Sequence, residues 1–278
     1  MDPDSVVRRP IWPWLIALVG AVLGICILCT HAQAMARDAE RRTTPVVARP
    51  AAIAVSGDHA GAAASVGESG ALPGGAGETS APAVADPHPG ATIVVADATW
   101  TSTTAARTGI PARALRAYAS AALTLQVEQP GCGLGWNTLA GLGAIESGHG
   151  GHAGGVLRED GYPDPPIRGI ALDGSASAAI PDTDGGRFDG DAVWDRAVGP
   201  LQFIPSTWEQ WGADANGDGV ADPNQIDDAA LAAARYLCAA GEMTSPAGWR
   251  RAVFSYNHLD SYVDDVAAVA NSSARLAG

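Results

Sequence analysis

Apolar and polar positions follow three different patterns along this chain. Residues 11–30 are almost wholly apolar, about the length a bilayer-crossing helix needs. Trp12 and Trp14 open that run, where aromatic rings favour the membrane interface, and Arg8 and Arg9 precede it on the side expected to stay cytoplasmic. Ala32-Gln33-Ala34 follows and looks like a signal-peptidase site. Residues 1–34 therefore read either as a cytoplasmic stub with a retained transmembrane anchor or as a cleaved signal; the length of the run leans to the anchor. Residues 35–104 are mostly Ala, Gly, Pro, Ser, Thr and Val, with few large apolar side chains. Such a segment cannot offset its ordering entropy by burial and reads as a flexible linker.

From residue 105 to 278 the pattern turns helical. Pro111 suits a first turn, and Leu115, Tyr118, Ala122 and Leu125 recur at helical spacing behind it. Leu139, Leu142 and Ile145 recur at three-residue spacing, which predicts one shared buried face. Glu146 follows at once, and residues 148–151, rich in Gly, stop the helix. Residues 150–195 carry Gly, Asp and Pro without periodicity and read as a long loop forming a wall or lid of a cleft. A short helix is expected at 206–211, ending at Gly212. Another is expected at 228–238, capped by Asp227, with Leu231, Ala234 and Leu237 in phase. A last pair, 249–256 and 261–270, closes the domain. The sum is a mainly α domain with long irregular loops and little strand.

Charge and cysteine content narrow the classes. Thirty acidic residues against 17 Lys and Arg give a formal charge of −13. No basic stripe exists, so nucleic acid is excluded as the expected partner. Cys26 and Cys29 lie inside the apolar run, where they read as membrane filling. Cys132 and Cys238 lie in the helical part. In an exported chain they would form a disulfide; two free buried thiols are the alternative. Such a bridge would close a loop worth about 4–5 kcal/mol in the chain-entropy model.

The candidate chemistry starts at Glu146. It sits on the last turn of a mostly apolar helix, at the negative end of the helix dipole. Apolar neighbours and that dipole both disfavour a charged carboxylate and raise its pKa. A carboxyl that stays protonated near neutral pH is what a general acid requires. Taken alone, Glu146 reads equally as an exposed helix-ending residue. Asp214, Asn216, Asp218, the Val220 carbonyl and Asp222 fall at positions 1, 3, 5, 7 and 9 of a calcium loop, with Gly219 near the turn. Position 12 is Gln225 rather than a bidentate Glu, with Asp227 and Asp228 just beyond it able to compensate, so an ion-free Asp-Gly turn stays open beside a structural calcium. His149 and His152 lack a helix to align them and a third ligand, and read as exposed loop residues.

Three ordered motifs carry a resemblance: Glu146-Ser147 at a helix end, Gly199-Pro200-Leu201-Gln202-Phe203, and Ala252-Val253-Phe254-Ser255-Tyr256-Asn257. Across roughly residues 108–270 the chain resembles the lytic transglycosylases of bacterial cell-wall turnover. It is nearest to the branch of membrane-bound lytic transglycosylase B and its actinobacterial relatives. The resemblance implies a goose-lysozyme-like helical fold, an extracytoplasmic place in the cell envelope, glycan strands of peptidoglycan as substrate, and no required cofactor. It implies cleavage of the β-1,4 bond between N-acetylmuramic acid and N-acetylglucosamine, with Glu146 as acid and then base. Gln202 would hydrogen-bond the sugar or its acetamido group, Tyr256 would hold Glu146 in place, and Asn257 would contact substrate. Ser147 would bond the Glu or end the helix, and Phe203, Trp208 and Trp211 are candidates for sugar stacking. A muramidase of the same fold, with Asp189, Asp191 or Asp195 as second carboxylate, and a non-catalytic wall-binding module remain as alternatives.

Overall fold

The structure is a computed structural model that describes residues 92–175 and 177–278. The anchor or signal read at 1–34, most of the linker, and Cys26 and Cys29 lie outside the described residues. Among the described residues no helix is long and apolar enough to cross a membrane.

Seven α-helices account for about half of the described residues: α1 Ala98–Thr108, α2 Ala112–Glu128, α3 Trp136–Ser147, α4 Pro205–Trp211, α5 Ile226–Ala239, α6 Pro246–Tyr256 and α7 Asp260–Ala277. This is the mainly helical architecture expected, and it is consistent with a lysozyme-like domain. Among the described residues the only ladder is a two-residue antiparallel pair, Val156–Leu157 against Pro163–Asp164. Isolated bridges such as Pro181 to Trp194 and Val198 to Phe203 hold the rest of the long loop.

Helix α1 begins inside the span read as linker. Its signals are local: Asp97 Oδ1 accepts the Trp100 N–H at 2.7 Å, and Gly109 ends the helix in the left-handed region. Trp100 meets Trp136 edge-on, with centroids 5.6 Å apart. The Thr-rich composition of α1 hid this helix, because one aromatic contact and a cap leave no long apolar stripe. Ahead of it, the Val94 and Ala96 N–H groups donate to Thr124 Oγ1 and Ser120 Oγ on α2, each at 3.0 Å.

The core follows from small residues. Helices α2 and α5 pack through Ala114, Ala117, Ala121, Ala230, Ala233 and Ala234, all buried. Helix α3 packs mainly on α7. Gly141 permits that approach, since a Cβ there would lie 2.8 Å from the Val266 carbonyl oxygen. Tyr262, Val263, Val266, Ala267 and Ala270 form the buried stripe of α7. Burying each large apolar side chain contributes about 1.5–3 kcal/mol. Helix α7 runs on to Ala277, beyond the 270 boundary expected, and Arg107 Nη1 donates to the Ala277 carbonyl at 2.5 Å.

Cys132 and Cys238 are bonded, with Cα atoms 5.4 Å apart. The bridge ties the loop after α2 to the end of α5. Arg235 and Glu128 form an ion pair between the same two helices, at 2.8 Å. Helix α5 differs from expectation at its start. Gln225, not Asp227, is the N-cap, and its side chain accepts the Asp227 and Asp228 N–H groups.

Candidate active site

Glu146 occupies the last turn of α3, which Gly148 ends at φ 61°. The helix is apolar on nearly every face and is buried along its length as far as Gly143. Ile145 departs from the expected stripe and is exposed. Glu146 itself is half-buried, on the side that meets α7. The Tyr262 hydroxyl donates to Glu146 Oε1 at 2.5 Å. Burial pushes the Glu146 carboxyl up to about 7, against the opposing pull of that hydrogen bond. Burial and the neighbouring Glu146 charge also raise Tyr262, so its phenol keeps its proton and remains a donor.

The tyrosine that holds Glu146 is therefore Tyr262, not Tyr256. Tyr256 ends α6, and its hydroxyl donates to the Leu201 carbonyl at 2.8 Å. Burial raises it well above the ordinary phenol value, and the charge of Glu146 adds to that. Both tyrosines lie near the acid, but only one bonds it. Tyr262 carried a sequence signal, since it opens the i, i+4 stripe of the last helix, one turn ahead of Val266.

Ser147 is buried rather than open to substrate. Its hydroxyl donates to the Pro200 carbonyl at 2.6 Å and accepts the Gly150 N–H at 2.8 Å. It ties the end of α3 to the turn at 199–203. In that turn Gln202 has φ 52°, and its Nε2 donates to the Gly199 carbonyl at 2.9 Å. Its Oε1 carries no such bond among the described residues and is free for a ligand. Phe203 is buried and packs edge-on against Trp208 and Tyr256, at 5.2 and 5.9 Å. Trp208 is fully buried as well, so of the three stacking candidates Trp211 alone is half-buried. Asn257 caps α6, with its N–H on the Val253 carbonyl at 3.4 Å.

Gln202, Phe203, Ile204, Thr207, Tyr236 and Tyr256 line a cavity of about 70 Å³. Tyr236 was missed in the sequence because it lies off the apolar stripe of α5. Its hydroxyl donates to the Ser255 carbonyl at 2.6 Å, and its ring meets Tyr256 at 90°. A second tyrosine layer lies behind α3. Tyr118 is fully buried, and its hydroxyl lies 3.3 Å from His149 Nδ1. Gly143 makes room for it, since a Cβ there would overlap the hydroxyl and lie 2.6 Å from Cζ. His149 is thus packed, not an exposed loop residue, and burial lowers it to about 4.

A larger cavity, about 490 Å³, lies between α2 and the start of α5. It shares no lining residue with the surroundings of Glu146, and the site is placed by the acid and not by cavity size. A glycan strand needs an open groove, which encloses little volume.

The calcium pattern at Asp214, Asn216, Asp218, Val220 and Asp222 lies between α4 and α5, as expected. Its carboxylates also bond the N–H groups of the loop itself. Asp214 accepts the Gly217 and Gly219 N–H groups, each at 2.8 Å, and Asp218 accepts the Val220 N–H and the Asn216 amide. Gln225 at position 12 spends its oxygen capping α5. Asp228 closes the loop by accepting the Ala215, Asn216 and Asp222 N–H groups at 2.8–3.2 Å. Its carboxyl is raised to about 8 by burial, which these bonds only partly oppose. The twelfth position holds Gln225 in place of a bidentate carboxylate, and the Asp228 carboxylate closes on the loop from just beyond it. One oxygen from each of Asp182, Asp184 and Asp195 lies within 4.8 Å of the others, so these three could meet a cation.

The acids considered as a second catalytic carboxylate are held within the long loop. Asp195 is buried, with both oxygens on Thr183. Asp189 accepts the Asp191 and Arg196 N–H groups, and Asp191 pairs with Arg196 at 2.8 Å.

Residues 187–273 match a family model described as a Transglycosylase SLT domain. Searches of curated proteins and of solved structures return no match. The matched span holds Gln202, Phe203, Tyr236, Tyr256 and Tyr262, and Glu146 lies ahead of it. The match covers about a third of the chain, and over that span the chain is similar to a transglycosylase domain.

Proposed function

We propose that the chain is a peptidoglycan lytic transglycosylase of the membrane-bound B-like branch, acting outside the cytoplasm on the β-1,4 bond between N-acetylmuramic acid and N-acetylglucosamine. One observation carries the reading: a single desolvated carboxyl, Glu146, held by Tyr262 at 2.5 Å and poised at about 7. At neutral pH a large share of it is protonated and can give its proton to the glycosidic oxygen. The bond from that oxygen to the muramic C1 then breaks. The acetamido group of the substrate supplies the stabilisation that a second carboxylate supplies in ordinary glycosidases. The Glu146 carboxylate next takes the proton of the muramic C6 hydroxyl, and O6 closes on C1. The product is a 1,6-anhydro sugar, and Glu146 is again protonated.

Tyr262 keeps one Glu146 oxygen fixed and leaves the other free for this transfer. Gln202 is placed by its own turn, with its amide oxygen open to an N–H donor such as the acetamido group. The disulfide accords with an oxidising compartment. An anchor or signal at 1–34, followed by a tether, would deliver the domain there.

The test is mass spectrometry of soluble products from purified peptidoglycan digested with the full chain and with Glu146→Gln. Muropeptides one water lighter than hydrolysis products, absent with the variant, are expected. Fully hydrated products would replace the proposal with a muramidase.

A further inference from the structure

The 490 Å³ cavity is large enough for a small ligand, and the proposed chemistry at Glu146 does not use it. Its floor is apolar and built from small side chains, Ala117 and Ala121 of α2 and Leu231 of α5. Its rim is set by the segment carrying Ile93 and Val95, pinned to α2 through the N–H groups of Val94 and Ala96. One wall is rigid. Arg113 is buried, bonds Asp227 through both terminal nitrogens, and donates from Nε to the Glu159 carbonyl at 2.9 Å.

The charges around the cavity do not all cancel within the protein. Asp227 neutralises Arg113, Asp160 pairs with Arg158, and Asp218 accepts the Asn216 amide. Three lining charges have no partner of opposite sign: the Asp218 carboxylate, bonded only to neutral donors, and the Arg116 guanidinium and Glu159 carboxylate, which make no hydrogen bond or ion pair with any described residue. A pocket with one unspent cation, two unspent carboxylates and an alanine floor matches a small ligand with a carboxylate, an ammonium and short apolar side chains.

We propose that this cavity binds a short peptide with free amine and carboxylate groups, and that the peptide is the stem attached to the glycan strands of the cell wall, whose alanine amine is taken up in the link to the strand and whose free amine is that of its diamino acid. The Arg116 guanidinium would take a carboxylate and Glu159 an ammonium, while methyl groups rest on Ala117 and Ala121. Only the source of the peptide rests on the transglycosylase reading; the chemistry of the pocket does not. A stem held here would fix how a strand lies against the domain while Glu146 acts elsewhere.

The test is isothermal titration calorimetry on the full chain with the tripeptide Ala-γ-Glu-diaminopimelate, which carries no sugar. Binding is expected, with Kd raised at least tenfold by Arg116→Gln and by Glu159→Gln. Both positions are exposed, so the variants retain the fold. Acetylation of the diaminopimelate amine or amidation of the carboxylates should weaken binding similarly, whereas acetylation of the alanine amine alone and Glu146→Gln should leave it unchanged. No binding by the unaltered chain, or a Kd insensitive to both variants, overturns the site. Equal binding of an all-L Ala-Glu-Lys peptide overturns the wall stem as its source. Because heat and not cleavage is read, a chain that binds the stem yet releases only hydrated sugars would preserve this site and sink the transglycosylase reading.

Discussion

Replacing Glu146 by Gln should stabilise the protein, and by an amount that depends on pH. The carboxyl rises from its ordinary 4.5 to about 7 on folding, chiefly through burial. Below 4.5 both the folded and the unfolded chain hold the proton, and burial of the neutral acid costs nothing extra. Between 4.5 and 7 the unfolded chain gives up a proton that the folded chain retains, so stability falls as pH rises. Above 7 both are ionised, and the penalty becomes constant. At about 1.4 kcal/mol per pKa unit, the full penalty is about 3 kcal/mol. Glu146→Gln abolishes it, and the amide oxygen can still accept the Tyr262 hydroxyl. The variant should therefore match the parent near pH 4 and exceed it by about 3 kcal/mol at pH 8, or about 6–12 °C in Tm for a domain of this size. Thermal unfolding of both chains across that range measures it. Asp228, also raised, to about 8, contributes equally to both and drops out of the difference. A difference in Tm that does not change with pH would refute the idea that Glu146 is desolvated, and with it the basis for its role as an acid.

Tyr262→Phe removes the hydrogen bond that opposes the rise of Glu146. The basic limb of the pH–rate profile should move upward, and kcat should fall about 10-fold or more through lost positioning; Tyr256→Phe should leave that limb in place and cost about 1 kcal/mol of stability from its Leu201 bond. Gly143→Ala drives a Cβ into the Tyr118 ring and should lower stability by about 1–3 kcal/mol in chemical denaturation, with partial recovery when Tyr118→Phe removes the hydroxyl. Replacing Cys132 and Cys238 together by Ser opens a bridge between residues 106 positions apart and should cost about 4–5 kcal/mol by the same measurement.

The acid and its helix were legible because burial and helix termination are written locally: an apolar run, a carboxylate, then glycines. The cysteine pairing was legible because only two cysteines lie outside the apolar run. The partner of Glu146 was not. The Tyr-Asn motif drew that role to Tyr256, but side-chain reach depends on where α6 ends and α7 begins, and the chain reverses between the two tyrosines. Ser147 and Phe203 fit their motifs by residue type while facing inward, which spacing alone does not reveal. The calcium pattern illustrates the converse. Asp and Asn at alternate positions serve a cation or the backbone N–H groups of their own loop equally well, so the spacing alone does not choose between them.

The two carbonyls of Pro200 and Leu201 are grasped from opposite directions in the chain. Ser147 reaches the first across 53 residues, and Tyr256 reaches the second across 55. Tyr262 then comes back to Glu146 across 116. A polypeptide made from its N-terminus displays its acid early and receives the groups that fix it last. Until the final two helices have been delivered, Glu146 has neither its hydrogen bond nor the packing of α7 that desolvates it, and its carboxyl would titrate as an ordinary, ionised glutamate. On the proposed function, the order of synthesis would act as a safety catch: a chain that ends before Tyr262 would lack the protonated acid needed to cut.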